Sequence, residues 1–346
     1  MSKIKNVLII KTSSLGDVIH TLPAVTDAHS HYPDIKFDWV VEEAFQEIPS
    51  WHPAINRVIP VSIRRWRKNP WQAQKTGEWQ QFRQALTNVD YDYVIDAQGL
   101  LKSSWITAQA NGIRCGLDYQ SAREPLASLL YQQRYNIEKE QHAVTRVREL
   151  FAKVLNYTIP AEFPDYHIQP YFAQMSAITQ SPYVVFLHGT TWDSKHWVES
   201  YWIDLAVKLA NDGYEVHLPW GNNNEYKRAE KIAAFHANIV ILPKMNLADI
   251  ANELAHAQVV VGVDTGLAHL AAALDTPAVT LYGATESAWT GTFGHHQIHL
   301  QAGLACSPCL NKKCTYHSAI DNYPACFQDL SVEKVSTAID SLLISN

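Results

Sequence analysis

Val259-Val-Val-Gly-Val-Asp264-Thr265-Gly266-Leu267-Ala268-His269-Leu270 carries two patterns joined end to end. The first half reads as a strand that finishes at Asp264, and a helix begins near Leu267. Thr265, Gly266 and Leu267 therefore offer backbone N–H groups at the positive end of a helix, a place suited to a diphosphate. Asp-Thr-Gly also occurs in aspartic proteases. That chemistry needs two such carboxylates in an all-β setting, whereas these flanks are strand and helix.

The same alternation spreads outward along the chain. Asn6 to Ile10, Phe37 to Val41 and Tyr93 to Ala97 read as strands in the first half, with a helix expected from Val18 to Pro33. Tyr183 to Leu187, Glu215 to Leu218, Val240 to Leu242 and Ala278 to Tyr282 do so in the second. Helical stretches separate those, at Ser200 to Ala210, Glu225 to Ala234 and Leu247 to Ala255. Strands alternating with helices build parallel sheets from βαβ units. The reading is an α/β chain of two Rossmann-like, doubly wound domains facing a central cleft. Residues 1–165 form the first domain, 166–182 a linker and 183–328 the second. Residues 329–346 form a terminal helix expected to pack back towards the first domain. No internal sequence repeat accompanies the alternation.

Length agrees: 346 residues suit two domains of ~150 each. Eleven Trp and sixteen Tyr are many for this length; aromatic surplus often lines sugar, base or partner sites, while most of it is normally core. A formal net charge of −6 excludes a nucleic-acid binder held by bulk charge, so an anionic partner has to be met by local cations. No signal peptide and no run of about 18 apolar residues is read, which predicts a cytoplasmic protein with only peripheral membrane contact.

Five further segments carry chemistry. Lys11-Thr-Ser-Ser-Leu-Gly-Asp17 ends a strand in small hydroxyl residues and opens a helix, without a dinucleotide or P-loop signature. Asp17 reads either as a helix N-cap or as a general base. Leu187-His-Gly-Thr190-Thr191-Trp-Asp-Ser-Lys195 places two Thr hydroxyls and an ammonium in one loop, able to hold phosphate oxygens. Leu218-Pro-Trp-Gly-Asn-Asn-Asn-Glu225 offers a carboxylate for ribose hydroxyls, or a plain first-turn Glu. Ile63-Arg64-Arg65-Trp66-Arg67-Lys68 gathers four cations, with Arg123, His142, Arg146 and Arg148 in the same half; it suits a phosphorylated or carboxylated ligand or an anionic lipid surface. Cys306-Ser-Pro-Cys309, with Cys314, Cys326 and His317, has zinc-like spacing, against free or redox-paired thiols. Cys115 reads as core.

Taken in order, these segments resemble the lipopolysaccharide heptosyltransferases over nearly the whole chain. Phe37-Asp-Trp-Val-Val-Glu-Glu43, Ile95-Asp-Ala-Gln-Gly-Leu-Leu-Lys-Ser103, Ala122-Arg-Glu-Pro-Leu-Ala-Ser128 and Gln141-His-Ala-Val144 strengthen the likeness. It implies a GT-B fold and inverting transfer of a heptose from ADP-heptose to a Kdo sugar of lipid A, with no obligatory cofactor. It further implies Asp17 as the base, and Thr190, Thr191 and Lys195 on the diphosphate, with Lys195 also stabilising departing ADP. Glu225 takes the ribose, Asp264 the heptose, and Thr265, Gly266, Leu267 and His269 the phosphates. Arg64, Arg65, Arg67, Lys68, Lys102, Arg123, His142 and Arg146 meet the acceptor at the cytoplasmic face of the inner membrane. The cysteine cluster departs from the pattern. Rival readings are the enzyme adding the second heptose and a non-catalytic nucleotide-sugar or anionic-lipid binder.

Overall fold

The computed structural model describes residues 5–69, 71, 75–176, 181–316 and 324–344. They divide between Ile168 and Gln169 into two units, a boundary inside the segment read as a linker. The first unit holds β1 (Asn6–Ile10), β2 (Lys36–Glu42), β3 (Ile55–Val61), β4 (Asp90–Asp96), β5 (Asn111–Leu117) and β6 (Gln133–Tyr135) in one sheet. Every pairing is parallel, in the order β3-β2-β1-β4-β5-β6. Val7 to Ile10 are wholly buried because β1 has a strand on each side and cover on both faces.

The helix expected from Val18 to Pro33 is two: α1 (Leu15–Ile19) and α2 (Leu22–His31). Pro23 enters in the first turn of α2, where its missing N–H leaves no bond unmade; inside one continuous helix it would. The other helices used below are α3 (Ile63–Lys68), α4 (Glu78–Thr87), α5 (Leu101–Thr107) and α6 (Ala143–Leu155). Phe82 and Leu86 of α4 and Ile106 of α5 pack on Leu8, Ile10, Val40 and Val94 of the sheet. Arg148 of α6 donates to Asp27 of α2 at 2.6 Å, and both side chains are over nine-tenths buried. Arg148 thus leaves the basic cluster and becomes a core strut. Removing either partner would strand a buried charge, at a cost of ~3–5 kcal/mol.

In the second unit, β7 (Tyr183–Leu187), β8 (Glu215–Leu218), β9 (Ile239–Ile241), β10 (Val259–Val263), β11 (Ala278–Tyr282) and β12 (Gln297–Gln301) pair in the order β12-β11-β10-β7-β8-β9. Counted from its own first strand, this is the order of the first unit again. The helices are α7 (Glu199–Asn211), α8 (Asn223–Ala233), α9 (Leu247–Ala255), α10 (Gly266–Ala273) and α11 (Val332–Ile344). The terminal helix corrects its expectation. Val335, Ile339 and Leu342 of α11 enter the core cluster of the second unit with Trp202, Val261, Val279 and Leu281. Its apolar stripe finds its cover there. In each unit the strand order reverses once, between β1 and β4 and between β7 and β10, and ligands of doubly wound sheets bind beyond the carboxyl ends at such points. Among the described residues no helix is long and apolar enough to cross a membrane.

Candidate active site

At the first reversal, β1 delivers Lys11 and then the turn into α1. Ser14 is the N-cap, so Asp17 sits three residues into the helix rather than at the cap itself. The Ser14 amide and hydroxyl both donate to Asp17 Oδ2, at 2.8 and 2.7 Å. Lys11 Nζ stands 3.8 Å from Oδ1, and the Asp17 side chain remains 40% exposed. Burial pushes the Asp17 pKa up, but Lys11, the two Ser14 donors and the Arg123 charge outweigh it. The net pKa lies below the ordinary carboxylate value. The group is charged at neutral pH and reachable.

Its surroundings come from β4. Gln98 Oε1 accepts from the Thr12 amide and hydroxyl at 2.8 and 2.7 Å, and Lys11 Nζ donates to the Ala97 carbonyl at 2.9 Å. Gln98 is itself held by Asp96, whose Oδ1 takes the Gln98 and Gly99 amides at 2.8 and 3.0 Å. Gly99 has φ +67°, a turn that suits glycine. Lys102 Nζ donates to Ser13 Oγ at 2.9 Å. Burial lowers the Lys102 pKa, with Glu42, Asp17 and Glu124 acting against it.

The basic residues divide. Arg64, Arg67 and Lys68 are exposed on α3. Arg65 is committed to carboxylates, Nη2 to Glu43 at 3.0 Å and Nη1 to Glu78 at 2.8 Å. Those bonds raise its pKa, Glu43 first. Arg123 is exposed and acts on Asp17. His142 caps α6 through Nδ1, which accepts the Val144 amide, and its ring meets His20 edge-on at 5.5 Å. Arg146 binds the Glu138 and Ser121 carbonyls at 3.1 and 2.9 Å.

At the second reversal the loops after β7 and β10 close on each other. Lys195 Nζ meets Asp264 Oδ2 at 2.6 Å, with side chains 14% and 10% exposed. The Thr285 hydroxyl donates to the same Oδ2 at 2.6 Å, and Thr190 Oγ1 reaches the Asp264 carbonyl at 3.4 Å. Trp192 lies beneath Lys195, whose Nζ is 4.5 Å from the ring centre. Thr191 is exposed beside them. Thr265 is the N-cap of α10, so the Gly266 and Leu267 amides open that helix. His269, buried one turn on, has Nε2 3.9 Å from Asp264 Oδ1. Glu225 lies in the first turn of α8, and its Oε2 takes the Gly221 amide at 2.7 Å. A Cβ at Gly189 would stand 2.7 Å from the Glu225 carboxyl carbon, so only glycine lets that carboxylate approach the β7 loop. Arg228 fixes the same loop by donating to the His188 carbonyl at 2.9 Å.

Lys11, Gln98, Thr285 and Arg228 have no local signature, since each acts across strands. Cys306, Cys309, Cys314 and Cys326 line one small cavity with Ser194 and Gly283. Burial pushes the Cys326 thiol up to about 11, helped by the other three sulfurs. Among the described residues no group of three or more His, Cys, Asp or Glu side chains is placed to hold a metal ion, and His317 lies outside them. Ser194 ties this segment to the Lys195 loop, its amide donating to the Lys312 carbonyl at 3.2 Å.

The profile of glycosyltransferase family 9 (heptosyltransferase) matches residues 79–320. Lipopolysaccharide heptosyltransferase 1 of Pseudomonas aeruginosa is 51% identical over 350 residues, 98% of each chain. The solved E. coli heptosyltransferase WaaC with ADP superposes with a TM-score of 0.88 at 47% identity, over 97% of this chain and 99% of that one. The same enzyme with ADP-2-deoxy-2-fluoro heptose gives 0.85 at 47% identity over the same shares.

Proposed function

The chain belongs to glycosyltransferase family 9, the heptosyltransferases, and on that premise we propose that it moves a heptose from ADP-heptose onto a Kdo hydroxyl of lipid A, beside an anionic membrane surface in the cytoplasm. The single observation that carries the reading is Asp17, a carboxylate held charged by Lys11 and Ser14 yet 40% exposed. A base has to be ionised, rigid and reachable at once.

In this reading Asp17 takes the proton of the acceptor hydroxyl as its oxygen attacks the anomeric carbon. The bond from that carbon to the diphosphate breaks on the opposite face, so the configuration inverts and the electron pair leaves with ADP. Negative charge grows on the leaving phosphate, where Lys195, Thr190, Thr191 and the Thr265, Gly266 and Leu267 amides answer it. Lys195 has three N–H donors, of which Asp264 engages one, so it can hold the heptose-facing carboxylate and a phosphate oxygen together. Glu225 takes the ribose, and His269 supports the phosphate side. Arg64, Arg67, Lys68, Lys102, Arg123 and His142 meet the carboxylates and phosphates of the acceptor. Arg65 and Arg146 contribute by bracing that face through the bonds described above. The four C-terminal cysteines would hold a structural zinc. Their lining one cavity supports this, and it requires their sulfurs to draw closer than they stand.

The test is transfer to purified Kdo-lipid A with Asp17→Asn, which keeps the shape and removes the basicity. Turnover should fall ~10² to 10⁴-fold with donor affinity intact. Near-normal kcat would leave Asp17 only its helix-capping bonds.

A further inference from the structure

α5 buries Ile106 together with Ser103, Ser104 and Thr107, and it turns Leu101 and Trp105 to solvent, at 48% and 52% exposure. The buried hydroxyls bond back to their own helix, Ser104 to the Leu101 carbonyl at 3.1 Å and Thr107 to that of Ser103 at 2.9 Å. The buried hydroxyls are thus satisfied internally, while Leu101 and about half of Trp105 stay open to solvent. The short 3₁₀ helix Pro125–Leu130 packs against α5 and repeats the arrangement, burying Ala127 and Ser128 while exposing Leu126 by 56% and Leu129 by 62%. Scattered exposed leucines need no explanation; a contiguous set on two adjoining elements does.

This apolar face continues into a cationic one. Trp105 stacks on Trp79 with centroids 5.1 Å apart, and Trp79 meets Trp66 edge-on at 5.7 Å. Trp66 belongs to α3, which exposes Arg64, Arg67 and Lys68. The acids nearby are engaged: Glu43 and Glu78 hold Arg65, and Glu124 accepts the Leu101 amide at 2.6 Å. Leucines and a Trp bordered by the exposed cations of α3, in a chain of net charge −6, match an anionic lipid leaflet. A second copy of the chain fits worse, because a two-fold contact would press the same cationic rim against itself.

We propose that Leu101, Trp105, Leu126 and Leu129 insert into the headgroup region of an anionic bilayer, beside the cationic face of α3 that the acceptor meets. This deepens the proposed function, resting on a lipid-borne acceptor there, but it makes a claim about phospholipid alone. The test uses the full chain and vesicles of phosphatidylethanolamine and phosphatidylglycerol that contain no Kdo. Wild type should co-sediment with them and stay free of phosphatidylcholine vesicles. Leu126→Ser/Leu129→Ser should lose at least ~10-fold in partitioning, as expected when two inserted side chains become polar. Phe235→Ser, an equally exposed apolar residue of the second unit, should not. Turnover on vesicle-borne acceptor should fall in step, while turnover on a deacylated, water-soluble acceptor holds. Undiminished partitioning of the double variant overturns the proposal. So does a change from dimer to monomer in light scattering with vesicle binding intact. Absence of transfer to either acceptor would sink the heptosyltransferase reading and leave the vesicle result to stand alone.

Discussion

Lys11 reaches Asp17 Oδ1 at 3.8 Å while its ammonium also donates to the Ala97 carbonyl at 2.9 Å, so the cation that holds the base charged is anchored on the neighbouring strand. That makes the charge of Asp17 a property of the β1/β4 reversal as much as of its own loop. The sign of a perturbation follows. Lys11→Met removes the opposite charge, the anion becomes harder to keep, and the Asp17 pKa rises. A base works only when deprotonated, so the acidic limb of the kcat/KM profile should move to higher pH in the variant. Turnover well above that limb should change far less. A limb that stays in place would show that some other group titrates. Asp17 was legible from sequence as a polar residue closing a strand-to-helix loop. Its dependence on Lys11 was not, because the bond that anchors Lys11 spans two strands far apart in the chain.

The strands show the same division between what is local and what is not. β1, β7, β10 and β11 are aliphatic runs wholly or almost wholly buried, and they could be read directly. β3, β5, β6 and β12 escaped. β3 carries Arg57 and Pro60, and as an edge strand it can hold a proline that a central strand would reject. β5 carries two glycines and an arginine, β6 is three residues long, and every residue of β12 is half-buried. The cysteine segment is of the same kind, irregular in backbone over the described residues 302–316. If zinc draws Cys306, Cys309, Cys314 and Cys326 together, purified protein should contain about one equivalent. A chelator should then lower the Tm and, because Ser194 joins this segment to the Lys195 loop, raise the donor KM. Protein without metal, with all four thiols reacting freely, would show an ordinary thiol-lined cavity.

At the scale of the whole chain, one strand order occurs twice without sequence repetition, because burial on both faces rather than residue identity decides which strands lie centrally. The groups assigned to the acceptor fall in the first unit and those assigned to the donor in the second. That separation, with the charge balance, gives a discriminating prediction. A chain of net −6 repels an anionic acceptor at long range, so capture depends on local cations acting within about a Debye length, ~10 Å at 0.1 M salt. The structure separates those cations into two kinds. Arg64 and Arg67 are exposed on α3, whereas Arg65 already shares its guanidinium between Glu43 and Glu78. Charge-assisted bonds contribute ~1.5–3 kcal/mol each when partly desolvated. Arg64→Ala/Arg67→Ala should therefore raise the acceptor KM at least ~10-fold at low salt. Arg65→Ala should raise it less, since that guanidinium is already engaged by Glu43 and Glu78 and offers the acceptor no open contact. The gap between the double variant and wild type should narrow as salt is added, because screening weakens the wild-type contacts too. Donor KM should hardly move in either. A larger effect from Arg65→Ala, or a loss of donor affinity in the double variant, would put the acceptor's anionic groups somewhere other than α3.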